Sequence, residues 1–576
     1  MESAANSNHV DLSKQEEGNK LTGDISREQE KVVQIEKAEL NAEHPASEPT
    51  TPEGTEYPTG PKLNLITLAL CLGVFLIALD PRLTYIILLP ADNCIIATAI
   101  PKITDKFHSL DDVGWYGSAY LLTSASLQLL FGRFYTFFNV KWVYLIAIGV
   151  FELGSLICGV ANSSLTLIMG RAVAGIGSAG VFSGSLIIIS HAIALEKRPL
   201  YNGFITSMFG ISSVAGPLLG GVFTDKVTWR WCFYINLPIG AVTVLVIAIF
   251  FPAPNLGNTE STWAESIKKF DPMGTAVFLP AIVCLLLALQ WGGTIYAWNS
   301  WRIIVLFCFF GVLTLLFLFI QYTQQDNATV PSRIFFRRTV WSAAFYSFCV
   351  GSAFLSSVYY LPIWFQAVKD ASPVSSGIMN LPMLISVVVA SLLSGIIVTH
   401  VGYYTPFMIV GTTLLAIGSG LMSMFHPDTS KAVWIGYQIV AGAGAGAGMQ
   451  QSMIAVQVVL EFVDIPIGTA IIVFSQTLGG ALFVSIGNNV FRNKLLAYLA
   501  KYAPTVDPAL ILKTGATGLR AVVNKADLPG VLHAYNDALT QTFIVGAAVA
   551  SLSIIGALWV EWKSVKGKNV ATGGAA

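Results

Sequence analysis

From Leu63 onward the chain is a series of long apolar runs separated by short polar breaks. A helix that crosses a bilayer needs roughly 20 consecutive apolar residues. By that length the pattern predicts spans at 113–133, 142–161, 166–190, 203–223, 232–251, 273–291, 303–320, 342–366, 376–399, 406–425, 433–457, 467–490 and 541–561. One further run, 64–100, is too long for a single span even when tilted. Pro81, Arg82 and Pro90 interrupt it. Counted once, it brings the total to fourteen helices. Most breaks between runs are short, as in a helical bundle.

Two polar stretches stand apart from this pattern. Residues 1–62 carry 13 acidic and 6 basic side chains and almost no aromatics. Such a segment buries too little apolar surface to offset its chain entropy, which predicts a disordered tail. The second stretch is 491–540. Leu495, Leu496 and Leu499, then Leu510, Ile511 and Leu512, predict short amphipathic helices there. With the N-terminus inside, the basic residues of short loops favour the cytoplasmic side. Residues 491–540 are then an extracellular loop. On that orientation Asn162, in Asn162-Ser163-Ser164, is a candidate glycosylation site on the outer face.

Composition agrees. The chain is 54% hydrophobic and 11% charged, against about 25% charged in soluble domains. A net charge of zero argues against a nucleic-acid binder. The seven cysteines show no paired spacing, so neither a disulfide framework nor a zinc site is indicated. No metal or nucleophile–base constellation is visible, and no cofactor is implied. An enzyme is not expected. No GxxxxGK[ST] phosphate loop occurs, so an ion gradient is the natural energy source.

Charges within spans are costly and mark function by default. Here they are Asp80, Asp92, Glu152 and Arg171. Arg171 heads a row with Gly175, Ala179 and Ser183 on one helix face. It either lies in a packed interior against a carboxylate or snorkels to the interface. Glu152 is either a protonatable carboxylate or a neutral packing group. Trp115, Tyr120, Gln128, Tyr360, Trp364, Gln451 and Gln476 suit the lining of a cavity for a large, mostly apolar organic molecule. The aromatic ones equally suit an interfacial belt.

Small residues form a second pattern. Between Gly210 and Gly221, Ser212, Gly216 and Gly220 make one row, with Ser213, Pro217 and Gly221 beside it. Such rows let another helix approach closely, and Pro217 invites a kink. Arg171 to Ala179, with Gly175 and Gly177, is echoed in phase by Gln438 to Gly446, 267 residues later. A glycine pair follows one span on in both cases, at Gly220-Gly221 and Gly479-Gly480. Weak internal symmetry of this kind is a mark of transporters built from two related halves.

These motifs resemble the major facilitator superfamily. More narrowly, they resemble its fungal drug:proton antiporters with fourteen spans, the group of mycotoxin and multidrug efflux pumps. Gly216-Pro217-Leu-Leu-Gly220-Gly221 is similar to the fifth-helix antiporter motif, and Arg171-Ala-Val-Ala-Gly175-Ile-Gly177 to the fourth-helix motif. Trp229 to Gly240 resembles the opening of the sixth helix, and Tyr360 to Gln366 the start of the second half. The resemblance implies an all-α membrane fold of two six-helix halves, 63–251 and 326–565, with two extra helices and linkers at 252–325 and a cytoplasmic tail at 566–576. It implies a monomeric, proton-coupled efflux transporter of the plasma membrane, or of a vacuolar or vesicle membrane. Its cargo is then a secondary metabolite or other amphipathic organic compound. It also leaves a siderophore or other proton symporter, or an inactive paralogue, as alternatives.

Two departures bear on mechanism. The loop after the second helix keeps only Gly132, Arg133 and Lys141 of a basic and acidic latch motif. In the first helix, the family aspartate stands nine residues before an Ala-Ile-Pro proline. Asp92 keeps that spacing to Pro101, whereas Asp80 fits the segment before it. Residues 81–92 therefore look like an insertion. The spacing favours Asp92 as the proton-coupling carboxylate, with Asp80 as the alternative.

Overall fold

Among the described residues, each of the fourteen apolar runs contributes a long helix. The computed structural model describes residues 57–85, 107, 112–252, 271–293 and 295–566. The predicted disordered tail falls almost entirely outside the described residues, as do Asp92 and most of the 81–92 segment. The first half comprises α1 (Pro61–Tyr85), α2 (Val113–Phe137), α3 (Val140–Val160), α4 (Ser164–Ala192), α5 (Arg198–Lys226) and α6 (Asn236–Phe250). Two extra helices follow, α7 (Pro272–Trp291) and α8 (Trp301–Gln324). The second half comprises α9 (Arg338–Ala367), α10 (Leu381–Val401), α11 (Thr405–Met422), α12 (Lys431–Met449), α13 (Ile465–Tyr502) and α14 (Leu528–Trp559).

Among the described residues, eleven helices are long and apolar enough to cross a membrane on their own. The other three long helices are α2, α5 and α12, which are rich in Gly, Ser and polar groups. Other helices cover them, so the chain does not need them to be apolar on every face. Helix ends follow local chemistry. Asn139 caps α3 by accepting from the Lys141 backbone N–H, 3.0 Å away. Ser163 does the same for α4 through Thr166. Gly402 ends α10 with φ +94, in the left-handed region where a side chain is disfavoured.

The predicted outer loop is largely helical. α13 continues to Tyr502, and α14 begins at Leu528. Leu495 and Leu499 keep the four-residue spacing and are fully buried, as are Val531, Ala534 and Leu539 of α14. The amphipathic stretch at 510–512 lies in a separate helix, Pro508–Val522, with Ile511 and Leu519 buried.

The internal echo is a packing repeat. In the first half, Gly175 faces Tyr120 and Thr123 of α2, and Gly177 faces Ala147 and Phe151 of α3. In the second half, Gly442 faces Met383 and Ser386 of α10, and Gly444 faces Gly411 and Leu415 of α11. Ala174 fits against Gly154, and Ala441 against Gly418. The partners on α10 stand 263 residues after those on α2. A Cβ on Gly177 would lie 2.6 Å from the Ala147 carbonyl oxygen and 2.7 Å from Phe151 Cα, both backbone atoms. Gly177→Val is therefore expected to cost about 1–3 kcal/mol of packing. A reduced monodisperse peak in detergent size-exclusion chromatography checks this.

The halves meet along two seams, α5 with α10 and α2 with α13. At the first, Gly203 approaches the Ser391 carbonyl, Gly210 approaches Leu384 and Val388, and Pro199 meets Gly395. At the second, Gly132 meets Pro466 and Ile467. His191 at the end of α4 also touches Phe462, with ring centroids 4.5 Å apart. The α2, α4, α10 and α12 connections at these contacts share one side of the bundle, the predicted cytoplasmic side. The inner ends of the halves are thus joined.

Candidate functional site

Two charges lie at the centre of the first half. Asp80 in α1 and Arg171 in α4 form an ion pair, each 1% exposed. Arg171 Nε donates to the Tyr116 carbonyl of α2 at 2.8 Å. Its guanidinium lies over the Tyr120 ring, 4.5 Å from the centroid. The Tyr120 hydroxyl in turn donates to the Ile77 carbonyl of α1 at 3.0 Å. Two neighbouring helices, α1 and α2, therefore hold one arginine of α4. The snorkelling alternative for Arg171 does not describe this geometry. Its Nη2 is buried with no hydrogen-bond partner among the described residues.

Sequence spacing left two aspartates open and favoured Asp92. The pair in the structure is made by Asp80, while Asp92 lies outside the described residues. Glu152 in α3 sits nearby, its electrostatic neighbour being Asp80. Its carboxyl group rests on Gly240 of α6. Both oxygens are buried without a hydrogen-bond partner among the described residues. A charged carboxylate so placed is costly in a membrane interior.

The pseudo-repeat shows that packing alone does not require this pair. Arg171 corresponds to Gln438 of α12. Gln438 Nε2 donates to the Met379 carbonyl at 3.1 Å, as Arg171 donates to Tyr116, 263 residues earlier. An uncharged amide serves the same helix junction in the second half.

Other predicted site residues separate into two groups. Several cavity candidates are internal packing groups in this conformation. Trp364 is 0% exposed, and its Nε1 donates to Asn536 Oδ1 at 2.8 Å. Tyr360 donates to the Val484 carbonyl at 2.6 Å. Gln128 binds Ser183, and Gln451 is buried beside Ser394. These side chains serve neighbouring helices, because polar tips in a membrane bundle take the nearest partner. Trp115 and Gln476 remain half-buried. Trp115 meets Trp291 of α7 edge-on at 6.0 Å.

The antiporter stretch lies in α5, which runs as one helix through Pro217. Ser212, Gly216 and Gly220 are buried, as their shared row predicts. The contact with the other half is made by Gly203 and Gly210. Asn162 is exposed, and its Oδ1 accepts from Arg230 at 3.0 Å. Nothing along the chain signals the Gly240 contact with Glu152, because it depends on the crossing of α3 and α6.

Residues 70–484 match the Major Facilitator Superfamily. The chain belongs to this superfamily. It is 58% identical over 520 residues to a protein named MFS-type efflux pump MFS1 from Arthroderma benhamiae, covering 90% of this chain and 95% of that one. It is 49% identical to a protein named aspyridones efflux protein from Neocamarosporium betae, covering 91% of each. Among solved structures, the human organic anion transporter MFSD10 superposes with a TM-score of 0.53 at 14% identity. That match covers 85% of this chain and all of the other. The superposition shows the shared fold. The chain is a polytopic membrane transporter of the superfamily.

Proposed function

We propose that this transporter exports amphipathic organic compounds, secondary metabolites foremost, across the plasma membrane in exchange for protons. The observation that carries the proton coupling is the buried Asp80–Arg171 pair, where the repeat uses an amide. A carboxylate paired with a buried arginine is a two-state group. Protonation of Asp80 removes the attraction and frees the α1–α4 contact. Glu152, with both oxygens unpaired among the described residues, is a second proton-carrying group beside it. The relatives named as efflux pumps support outward export.

In this cycle the two halves rock about the α5–α10 and α2–α13 seams. The inner ends, joined here, part to admit cargo from the cytoplasm. The path lies between two halves of one chain, so a monomer is a complete unit. Binding shifts such an equilibrium only by its differential affinity for the two states.

The test is uptake of a fluorescent lipophilic dye into inverted membrane vesicles with an imposed pH gradient. Accumulation is expected to follow the gradient and to collapse with a protonophore. Uptake indifferent to the protonophore would sink the antiport reading.

A further inference from the structure

The loop after α2 lacks the acidic residue of the family latch, yet the inner ends of the halves are joined. Its two surviving basic residues go elsewhere. Lys141 Nζ donates to the Ala248 carbonyl at the end of α6, 2.7 Å away and in the same half. Arg133 Nη2 donates to the Asp326 carbonyl at 3.1 Å. Asp326 belongs to the linker that joins α8 to α9. From the same linker, Arg333 grips Asp464 with two nitrogens, at 2.5 and 2.9 Å. Its Nε donates to the Asp326 carboxylate at 2.8 Å. Asp464 is 3% exposed and stands at the start of α13, where the helix dipole favours a negative charge. The Asp464 hydrogen bond holds the Arg333 pKa above its ordinary value.

The linker is stiffly mounted. Asp271, 1% exposed, caps α7 through Gly274 N at 2.7 Å. It also accepts from Gln321 Nε2 of α8 at 2.6 Å and from Thr329 N and Oγ1, both at 2.9 Å. Gln321 Oε1 accepts from Val330 N at 2.8 Å. One buried carboxylate thus ties the start of α7, the end of α8 and the linker into a single unit. At the opposite end of the hairpin, Trp298 Nε1 donates to Asn489 of α13 at 2.7 Å. The extra helices therefore straddle the α2–α13 seam.

We propose that the linker after α8 is the inner clasp of this transporter, joining α2 to α13 through Arg133, Asp326, Arg333 and Asp464. The joint parts when the halves open inward. The two extra helices carry the clasp in place of the degenerate α2–α3 loop. Arg333 and Asp464 are positioning residues of the cycle and touch no cargo.

This proposal rests on the rocking motion given above, but its test needs neither cargo nor a proton gradient. Ile467, 3% exposed at the seam, is replaced by Cys in a background without native cysteines. Its labelling by a membrane-permeant maleimide then reports inner opening. Arg333→Ala is expected to raise the labelling rate about fivefold, the factor for losing one partly exposed ion pair. Asp464→Ala is expected to act alike, and the double variant no more than either single one. Arg520→Ala breaks the outer pair with Asp370 and is expected to leave labelling unchanged. A parental labelling rate in Arg333→Ala, or fully additive effects in the double variant, overturns the clasp. If Arg333→Ala is not monodisperse, Arg333→Lys decides in its place. It keeps the charge but loses the two-pronged grip, and a parental rate again overturns the proposal. Failure of the efflux reading would appear instead as vesicle uptake indifferent to the protonophore, with labelling still raised by Arg333→Ala.

Discussion

Asp80→Asn is expected to abolish gradient-driven accumulation in inverted vesicles. The neutral amide cannot take up and release a proton, so the imposed gradient no longer drives cargo. Each proton moved across 100 mV supplies about 2.3 kcal/mol, equivalent to roughly a fiftyfold concentration ratio. That ratio is the expected loss. The single change also leaves Arg171 buried without its carboxylate, a cost of about 3–5 kcal/mol. Reduced folding would therefore confuse the result. The repeat supplies the control. Asp80→Asn combined with Arg171→Gln installs at this junction the amide that the second half already uses at Gln438. This double variant is expected to recover a monodisperse membrane protein and to remain uncoupled. Equilibrative exchange of dye between the two sides is expected to persist. Recovery of gradient-driven accumulation in the double variant would assign the pair a structural role only.

Local periodicity carried much of this architecture. The small-residue rows at 171–179 and 438–446 indicated close helix packing and a repeat, because both depend on neighbours three or four residues apart. The same holds for Leu495 and Leu499, whose spacing runs unbroken past the end of the apolar run into the extended α13. Long-range choices were less legible. Motif spacing favours Asp92 because it measures distance to Pro101 along the chain. The partner of Arg171 is instead chosen by how α1 crosses α4. Trp364 and Tyr360 carry the same apolar body and polar tip whether they line a cavity or pack in a core. Only Asn536 and the Val484 carbonyl, more than a hundred residues away, decide between them. Arg333 and Asp464 are ordinary linker charges until the fold brings them together across a sequence separation of 131.

Deleting Pro81–Asp92 is expected to preserve or raise transport. The run from 64 to 100 is far longer than the roughly 20 residues a span requires. Accommodating the excess by tilt or displacement carries a cost for every ångström of mismatch. In the structure, the stretch Pro61–Asp80 already spans twenty residues and delivers Asp80 to Arg171. The deletion joins Asp80 to Asn93, so that Asp80 stands nine residues before the Ala-Ile-Pro proline. The family spacing and the ion pair then fall on one residue. Export of the dye by the shortened chain, at parental rate or above, would leave Asp92 dispensable. Adding Asp80→Asn to the shortened chain is then expected to abolish coupling, whereas Asp92→Asn in the full chain changes little. A shortened chain that reaches the membrane intact but no longer transports would move the coupling role from Asp80 into the deleted segment.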